Sequence, residues 1–328
     1  MKIYIAYAGG TIGMVPSENG FVPDAAFADH LSEQFKGFDE LTHDFVIESY
    51  PELIDSSNAT PTDWVMIARD IESKWQLFDA FIVLHGTDTM AYTAAALSFM
   101  FTNSDKPIIV TGSQVPMFKA RTDAMINVLG AISACEESGN EGVANGVSLF
   151  FGGRLIEGDR AHKAHSSDWQ AFSSPNCLER GILGIDWRWQ QSNKAISPMT
   201  VQIPDMVENA VTILPVFPGV QAEHWQGLLN NKVKGAVLLS YGAGNAPDKN
   251  AALLALLKTA TDRGVVIVNV SQCGAGSVVA GAYAAGSALV AAGVTSGKDM
   301  TYEAAFVKLH FLLGLGLDSR DIKDAFVR

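Results

Sequence analysis

Three short stretches of this chain carry side chains able to do chemistry together. The first is Ala8-Gly9-Gly10-Thr11-Ile12-Gly13, where a threonine hydroxyl follows two glycines. The second is His85-Gly86-Thr87-Asp88-Thr89, a hydroxyl next to a carboxylate. The third holds Lys163, in a segment with Arg154, Arg160, His162 and His165. A hydroxyl is a weak nucleophile until a neighbouring base takes its proton. A lysine beside a carboxylate holds or surrenders a proton near neutral pH according to its surroundings. Backbone N–H groups exposed by glycine can cradle the oxyanion that forms when a hydroxyl attacks a carbonyl. A Thr–Lys–Asp set therefore suits acyl transfer. Asp88 with Ser56 and Ser57 suits instead the grip of a zwitterion, carboxylate to ammonium and hydroxyls to carboxylate. The plainer alternatives are helix-capping threonines and a Lys–Asp surface pair.

The elements that must position these groups follow from hydrophobic pattern. Residues 3–7 are an apolar run of the kind buried on both faces of a parallel sheet. The glycines after it allow a tight turn. Thr11 then falls at the carboxyl end of the first strand, the edge at which open α/β sheets bind ligands. Residues 80–84 repeat the layout and run into Gly86-Thr87-Asp88. Residues 107–112 are a third strand, with Ser113-Gln114 as its loop, and residues 147–151 a fourth. Between them the spacing predicts helices over 26–35, 62–75, from about Met90 to Phe101, and 121–135. Strand–helix alternation implies βαβ units and a parallel sheet. Residues 13–25 read as a loop long enough to cover Thr11 as a lid. Asp55-Ser56-Ser57-Asn58 reads as a loop before a helix that has Pro61 at its first position. Residues 152–174 read as loop.

Residues 191–208 are polar with Ser and Pro and read as a linker between a domain at 1–190 and a smaller α/β domain at 209–328. In the latter, strands are expected over 211–216, 236–240 and 265–270. Helices are expected near 223–230, 249–260, 302–313 and 320–327. A length of 328 residues makes two domains the default.

Composition excludes several classes. With 48% hydrophobic and 18% charged residues the chain is globular. A net charge of −12 argues against nucleic acid or an anionic membrane surface as partner. No apolar run approaches the ~18 residues of a membrane span, and Met1-Lys2 leads directly into a strand without a cleavable leader. Cys135, Cys177 and Cys273 are few and far apart, which suits a reducing cytoplasm and gives no metal site. The glycine turns do not form a GxGxxG fingerprint, and no GK[ST] loop is present.

Tyr7-Ala8-Gly9-Gly10-Thr11-Ile12-Gly13-Met14 and His85-Gly86-Thr87-Asp88-Thr89-Met90 resemble the two signature motifs of L-asparaginases. Thr111-Gly112-Ser113-Gln114-Val115-Pro116, Lys163-Ala164-His165, Ala171-Phe172-Ser173-Ser174-Pro175-Asn176 and Tyr241-Gly242-Ala243-Gly244-Asn245-Ala246-Pro247 resemble the cytoplasmic, type I branch. The resemblance spans nearly the whole chain. It implies a larger N-terminal Rossmann-like parallel-sheet domain joined to a smaller C-terminal α/β domain, with subunits paired as homodimers or homotetramers. It implies that Thr11 is the nucleophile attacking the side-chain amide of L-asparagine. Thr87, Asp88 and Lys163 would form the second catalytic group, and Asp88 would also bind the substrate ammonium. Asp55, Ser56 and Ser57 would form the substrate-binding loop. No metal or organic cofactor is implied.

Two departures stand out. The family's lid usually carries a tyrosine, and the aligned residue here is Phe21. A ring without an oxygen still excludes water but relays no proton. Some type I members bind asparagine at a second, allosteric site through an arginine and a threonine; the aligned positions here are Leu239 and His162. Two other readings compete with an asparagine amidohydrolase. One is a non-catalytic asparagine-binding sensor. The other is the amidase subunit of a tRNA-dependent amidotransferase, which normally carries an additional N-terminal domain before the first strand.

Overall fold

A computed structural model of the chain describes residues 1–18, 20–141, 143–190, 197–279 and 284–327. It comprises two compact units, Met1–Ile203 and Pro204–Arg328.

The first unit begins with β1 (Lys2–Tyr7), β2 (Met14–Ser17) and β3 (Gly20–Pro23). Then come α1 (Phe27–Phe35), β4 (Asp44–Ser49), α2 (Pro61–Lys74), β5 (Ala80–Leu84), α3 (Met90–Met100), β6 (Phe101–Thr102) and β7 (Pro107–Thr111). The unit continues with α4 (Ala124–Glu141), β8 (Gly146–Phe151), β9 (Arg154–Glu157), β10 (His162–Lys163) and β11 (Phe172–Ser173). It ends with β12 (Gly181–Leu183), β13 (Trp187–Trp189) and β14 (Thr200–Val201).

An eight-stranded sheet in the order β13-β12-β9-β8-β7-β5-β1-β4 organises this unit. From β8 to β4 the neighbours run parallel. Their register decides where the chemistry falls. Tyr7 lies opposite Leu84, and Leu84 opposite Thr111. The turns Gly9-Gly10-Thr11, Gly86-Thr87-Asp88 and Gly112-Ser113-Gln114 therefore leave three adjacent strands at one edge. The central strands are held by burial on both faces. Ile3, Ile5 and Tyr7 pack with Phe27 and Leu31 of α1 and Val128 and Ile132 of α4. Tyr4, Ala6, Phe81 and Val83, on the opposite face, are also buried. Each large apolar side chain removed from water in this way contributes about 1.5–3 kcal/mol.

The structure corrects three details of the sequence reading. Residues 13–25 are not an open loop: β2 and β3 form an antiparallel hairpin with Val15 opposite Val22. Pro16 and Pro23 hid it, because proline normally argues against a strand. Residues 152–174 are not all loop either. Gly152 and Gly153, with φ of 56° and 79°, make a two-residue turn that folds β9 back onto β8. Lys163 itself sits on the short strand β10, paired with β11. The helix expected from Arg121 begins three residues later, at Ala124, because Arg121 adopts φ 61° in the left-handed region. It also runs on to Glu141.

Thr200–Val201 pairs with Phe101–Thr102, so ordered structure of the first unit reaches into the segment 191–208 read as a linker. Residues 191–196 of that segment lie outside the described residues.

The second unit contains β15 (Val211–Pro215), α5 (Ala222–Gln226), β16 (Gly235–Ser240), α6 (Ala251–Asp262) and β17 (Val266–Ser271). After these come α7 (Ala284–Ala291), β18 (Thr295–Ser296), α8 (Tyr302–Gly314) and α9 (Ser319–Val327). Among the described residues its sheet has four parallel strands in sequential order, over a core that includes Leu214, Trp225, Leu238, Leu253, Leu257 and Ile267. The sequence pattern did not reveal α7 or β18. The α/β class, with a larger parallel-dominated sheet and a smaller parallel one, is the architecture observed.

Candidate active site

The turns after β1 and β5 touch backbone to backbone. Gly9 adopts φ 137°, and a Cβ there would collide with the Ile54 carbonyl. Gly10 adopts φ 94°, and a Cβ there would collide with the Gly86 backbone. Only glycine combines these conformations with such an approach. Ile54 N–H donates to Ala8 O at 2.7 Å, which ties in the segment leading to Asp55. Thr11 then opens a 3-10 turn, Thr11–Gly13, and is half-buried.

Lys163, Thr87 and Asp88 form a hydrogen-bonded cluster. The Lys163 Nζ donates to Thr87 Oγ1 at 2.9 Å and to Asp88 Oδ1 at 2.6 Å. Lys163 lies opposite Phe172, whose ring packs against Phe151 at 5.1 Å. The lysine thus rises from a short strand anchored in the core. Thr87 is buried, whereas the Asp88 side chain is 62% exposed. One partner of the lysine therefore faces the interior and the other faces solvent.

A second layer holds this cluster, and sequence reading missed it. The Thr87 hydroxyl donates to Gln114 Oε1 at 3.4 Å. Gln114 Nε2 donates to Ser166 O and Asp168 O, each at 3.3 Å. The Asp123 carboxylate accepts from the Gln114 and Val115 backbone amides and from Asn127 Nδ2. Asn127 also spans Gly112 O at 2.9 Å and Gly152 N at 3.0 Å. The ends of β7 and β8 and the start of α4 are thereby one network. The available signal was Asn127, a polar residue on the apolar face formed by Ala124, Val128, Ala131 and Ile132.

His85 fixes the turn before Thr87. It is buried, and burial pushes its pKa down, so the ring is neutral. Nδ1–H donates to Gly86 O at 2.8 Å, and Nε2 accepts from Thr93 Oγ1 at 3.1 Å.

Ser56 is buried with its side chain packed on the Gly86 α-carbon, and its carbonyl accepts from Thr89 Oγ1 at 2.8 Å. Ser57 is exposed. Asp55 caps the 3-10 turn that follows it. Its Oδ1 accepts from Ser57 N at 3.1 Å and its Oδ2 from Asn58 Nδ2 at 3.0 Å. Phe21 stands on the β2–β3 hairpin opposite Pro16, with the Lys119 Nζ 5.3 Å from its ring centroid. Hydrogen bonds thus join Thr87, Asp88 and Lys163. Thr11 and Ser56 meet them through the packed Gly10 and Gly86 turns. Asp55 shapes its own loop, and Phe21 belongs to a separate hairpin.

Fold and site together define the class: an α/β protein whose carboxyl-edge site is built from threonine hydroxyls, a carboxylate and a lysine. Residues 2–195 match the family described as "Asparaginase, N-terminal", and residues 210–326 match "Glutaminase/Asparaginase C-terminal domain". The chain belongs to the asparaginase family. It is 44% identical to L-asparaginase 1 of Escherichia coli, over 99% of this chain and 95% of that protein. Among solved structures it is similar to L-asparaginase I from Vibrio cholerae, with a TM-score of 0.89 and 41% identity over 100% of this chain and 97% of that one. It also superposes on the thermostable L-asparaginase from Thermococcus kodakarensis, with a TM-score of 0.90 and 27% identity over 100% and 97% of the two chains. Among the described residues no helix is long and apolar enough to cross a membrane.

Proposed function

We propose that this chain hydrolyses the side-chain amide of L-asparagine to L-aspartate and ammonia through an ester on Thr11. The observation that carries the reading is the Lys163 ammonium shared between the buried Thr87 hydroxyl and the exposed Asp88 carboxylate. Membership of the asparaginase family and the likeness to L-asparaginases support the substrate.

In this scheme Thr11 Oγ1 bonds to the amide carbon and its proton passes to the departing nitrogen, which leaves as ammonia. Backbone N–H groups of the glycine turns stabilise the oxyanion. Water then bonds to the ester carbon, the carbon–Oγ1 bond breaks, and Thr11 regains a proton. Thr87 holds that water, and Lys163 sets the polarity of Thr87. Asp88 takes the substrate ammonium. Ser56 and Ser57 take its α-carboxylate, while Asp55 braces their loop. Phe21 excludes water as part of the hairpin. The scheme uses no metal or organic cofactor. Assembly into homodimers or homotetramers and residence in the cytoplasm belong to the same reading; light scattering measures the first and cell fractionation the second.

Ammonia release on mixing with asparagine tests the activity. Thr11→Ala is expected to abolish release while asparagine still binds in a calorimetric titration. Retention of more than a few per cent of the rate moves the nucleophile elsewhere, with Thr87 the first alternative. Binding without ammonia release by the unmodified chain makes it a sensor.

A further inference from the structure

A threonine hydroxyl has one proton and two lone pairs. At Thr87 the Lys163 ammonium, 2.9 Å away, can only donate, and it occupies one lone pair. The Thr87 proton is directed at Gln114 Oε1, 3.4 Å away. That bond is long, as such contacts often are before substrate closes a site. The orientation of the Gln114 amide is fixed from its other end. Nε2 faces the carbonyls of Ser166 and Asp168, both at 3.3 Å, and a flipped amide would set three carbonyl oxygens against one another. The Gln114 backbone is gripped in turn by both oxygens of the buried Asp123 carboxylate. With these roles assigned, the second Thr87 lone pair is left for a third donor.

We propose that Gln114 is a positioning residue for the water that hydrolyses the Thr11 ester. It draws the Thr87 proton away from the reaction and so presents Thr87 to water as an acceptor. The inference rests on the Thr11 ester of the proposed function. In the step it serves, the water oxygen bonds to the ester carbon, the carbon–Oγ1 bond breaks, and the proton lost by water ends on Thr11 Oγ1. The first step, attack by Thr11 and release of ammonia, does not need this water. Loss of Gln114 therefore slows the second step more than the first.

The test uses full-length Gln114→Ala, Gln114→Asn and Gln114→Glu, with ammonia followed both before and during the steady state. For Gln114→Ala the expected result is a fall in kcat on the order of tenfold or more. KM should be unchanged or lowered, and a burst of about one ammonia per site should appear as the ester accumulates. Intact-mass measurement should find the aspartyl adduct, and the adduct should vanish in the Thr11→Ala, Gln114→Ala double variant. Gln114→Glu adds a readout that a structural role would not move. A carboxylate repels the Ser166 and Asp168 carbonyls, whereas the neutral acid donates to one of them and still accepts from Thr87. The activity of Gln114→Glu relative to the unmodified chain, measured in parallel, should therefore recover as pH falls. An unchanged kcat in Gln114→Ala overturns the proposal. So does a fall without a burst in all three variants, with pH profiles parallel to that of the unmodified chain. If Gln114→Ala fails to fold, Gln114→Asn and Gln114→Glu decide by the same criteria. An unmodified chain that releases no ammonia overturns the functional reading and this proposal with it. Ammonia release by the unmodified chain and an unaffected Gln114→Ala overturn this proposal alone.

Discussion

Gly10 and Gly86 lie so close that a Cβ on Gly10 would strike the Gly86 α-carbon and amide nitrogen. The contact joins the turn carrying Thr11 to the turn carrying Thr87. Gly10→Ala should therefore harm folding and chemistry together. Its φ of 94° is unfavourable for any residue with a Cβ, at a cost of ~1–3 kcal/mol before the collision is counted. In calorimetry the melting temperature should fall by several degrees. Separation of the two turns should lower turnover by ~10²-fold, the order expected for a displacement near 1 Å. A variant with unchanged melting and rate would mean that the turns can part without loss.

Lys163→Met separates stability from catalysis. The Asp88 side chain is 62% exposed, so solvent screens the charge left behind and melting should hardly change. Thr87, by contrast, loses a donor at 2.9 Å in a buried setting. Turnover should fall by ~10²–10⁴-fold, the usual worth of proton-transfer groups. Circular-dichroism melts alongside initial rates make the comparison. A normal rate would reduce the Lys163–Asp88 pair to surface decoration.

What the sequence disclosed follows from how local each signal is. β1, β5 and β7 are unbroken apolar runs ending in glycine turns, so both the strands and the placing of Thr11 and Thr87 at one edge were legible. The β2–β3 hairpin was not, since its strands are largely exposed and two of their residues are prolines. Antiparallel β9 depended on Gly152-Gly153, a hairpin signal in a segment read as loop because of its charges. Gln114 was legible as a loop residue within a motif of the resemblance, but without a role. Its contacts with Thr87, Ser166 and Asp168 span 27 to 54 positions, and no periodicity encodes a pairing at such distance.

Acid should weaken the second unit through His310. This side chain is buried on α8, beside the Phe306 ring at 4.8 Å, and burial pushes its pKa down to about 4. An unfolded histidine titrates near 6.5. The unfolded chain therefore binds the proton first, and stability is fully present above ~6.5 and lost as pH falls toward 4. The loss attributable to this one group is about 3 kcal/mol. His85, also shifted down by burial, acts in the same direction in the first unit. Urea unfolding midpoints followed from pH 7.5 to 4.5 should fall less steeply for His310→Leu, whatever that change does at neutral pH. Equal slopes would show that His310 binds its proton as readily in the native state as in the unfolded chain.

Saturation by asparagine should be hyperbolic. Cooperativity requires a second site with differential contacts in two states. The arginine that some type I relatives place on this strand is here Leu239, half-buried on β16 opposite Pro215 and Val270. An isobutyl group cannot hold a carboxylate as a guanidinium does. Initial rates across a wide asparagine range should give a Hill coefficient of one. A value clearly above one would mean that further asparagine sites are coupled to the active site.

Phe21→Tyr tests the role proposed for the hairpin. The ring is 48% exposed, held by the pairing of Phe21 with Pro16 and by the Lys119 ammonium 5.3 Å from its centroid. A hydroxyl at the ring edge therefore enters without rebuilding the hairpin. If the ring serves only to exclude water, phenylalanine performs as well as tyrosine. If it also orients the Thr11 hydroxyl, this chain works without that hydrogen bond, and adding it should raise turnover. A bond made mainly in the transition state is worth a few kcal/mol, which sets a ceiling of ~10²–10³-fold. The Michaelis constant should change little, because the added contact acts on the nucleophile and not on bound asparagine. Removing the ammonium with Lys119→Met gives the control: it loosens the ring by ~0.5–1 kcal/mol without touching the chemistry, so it should affect both variants alike. Turnover that stays level or falls in Phe21→Tyr would mean that the ring edge does not orient Thr11.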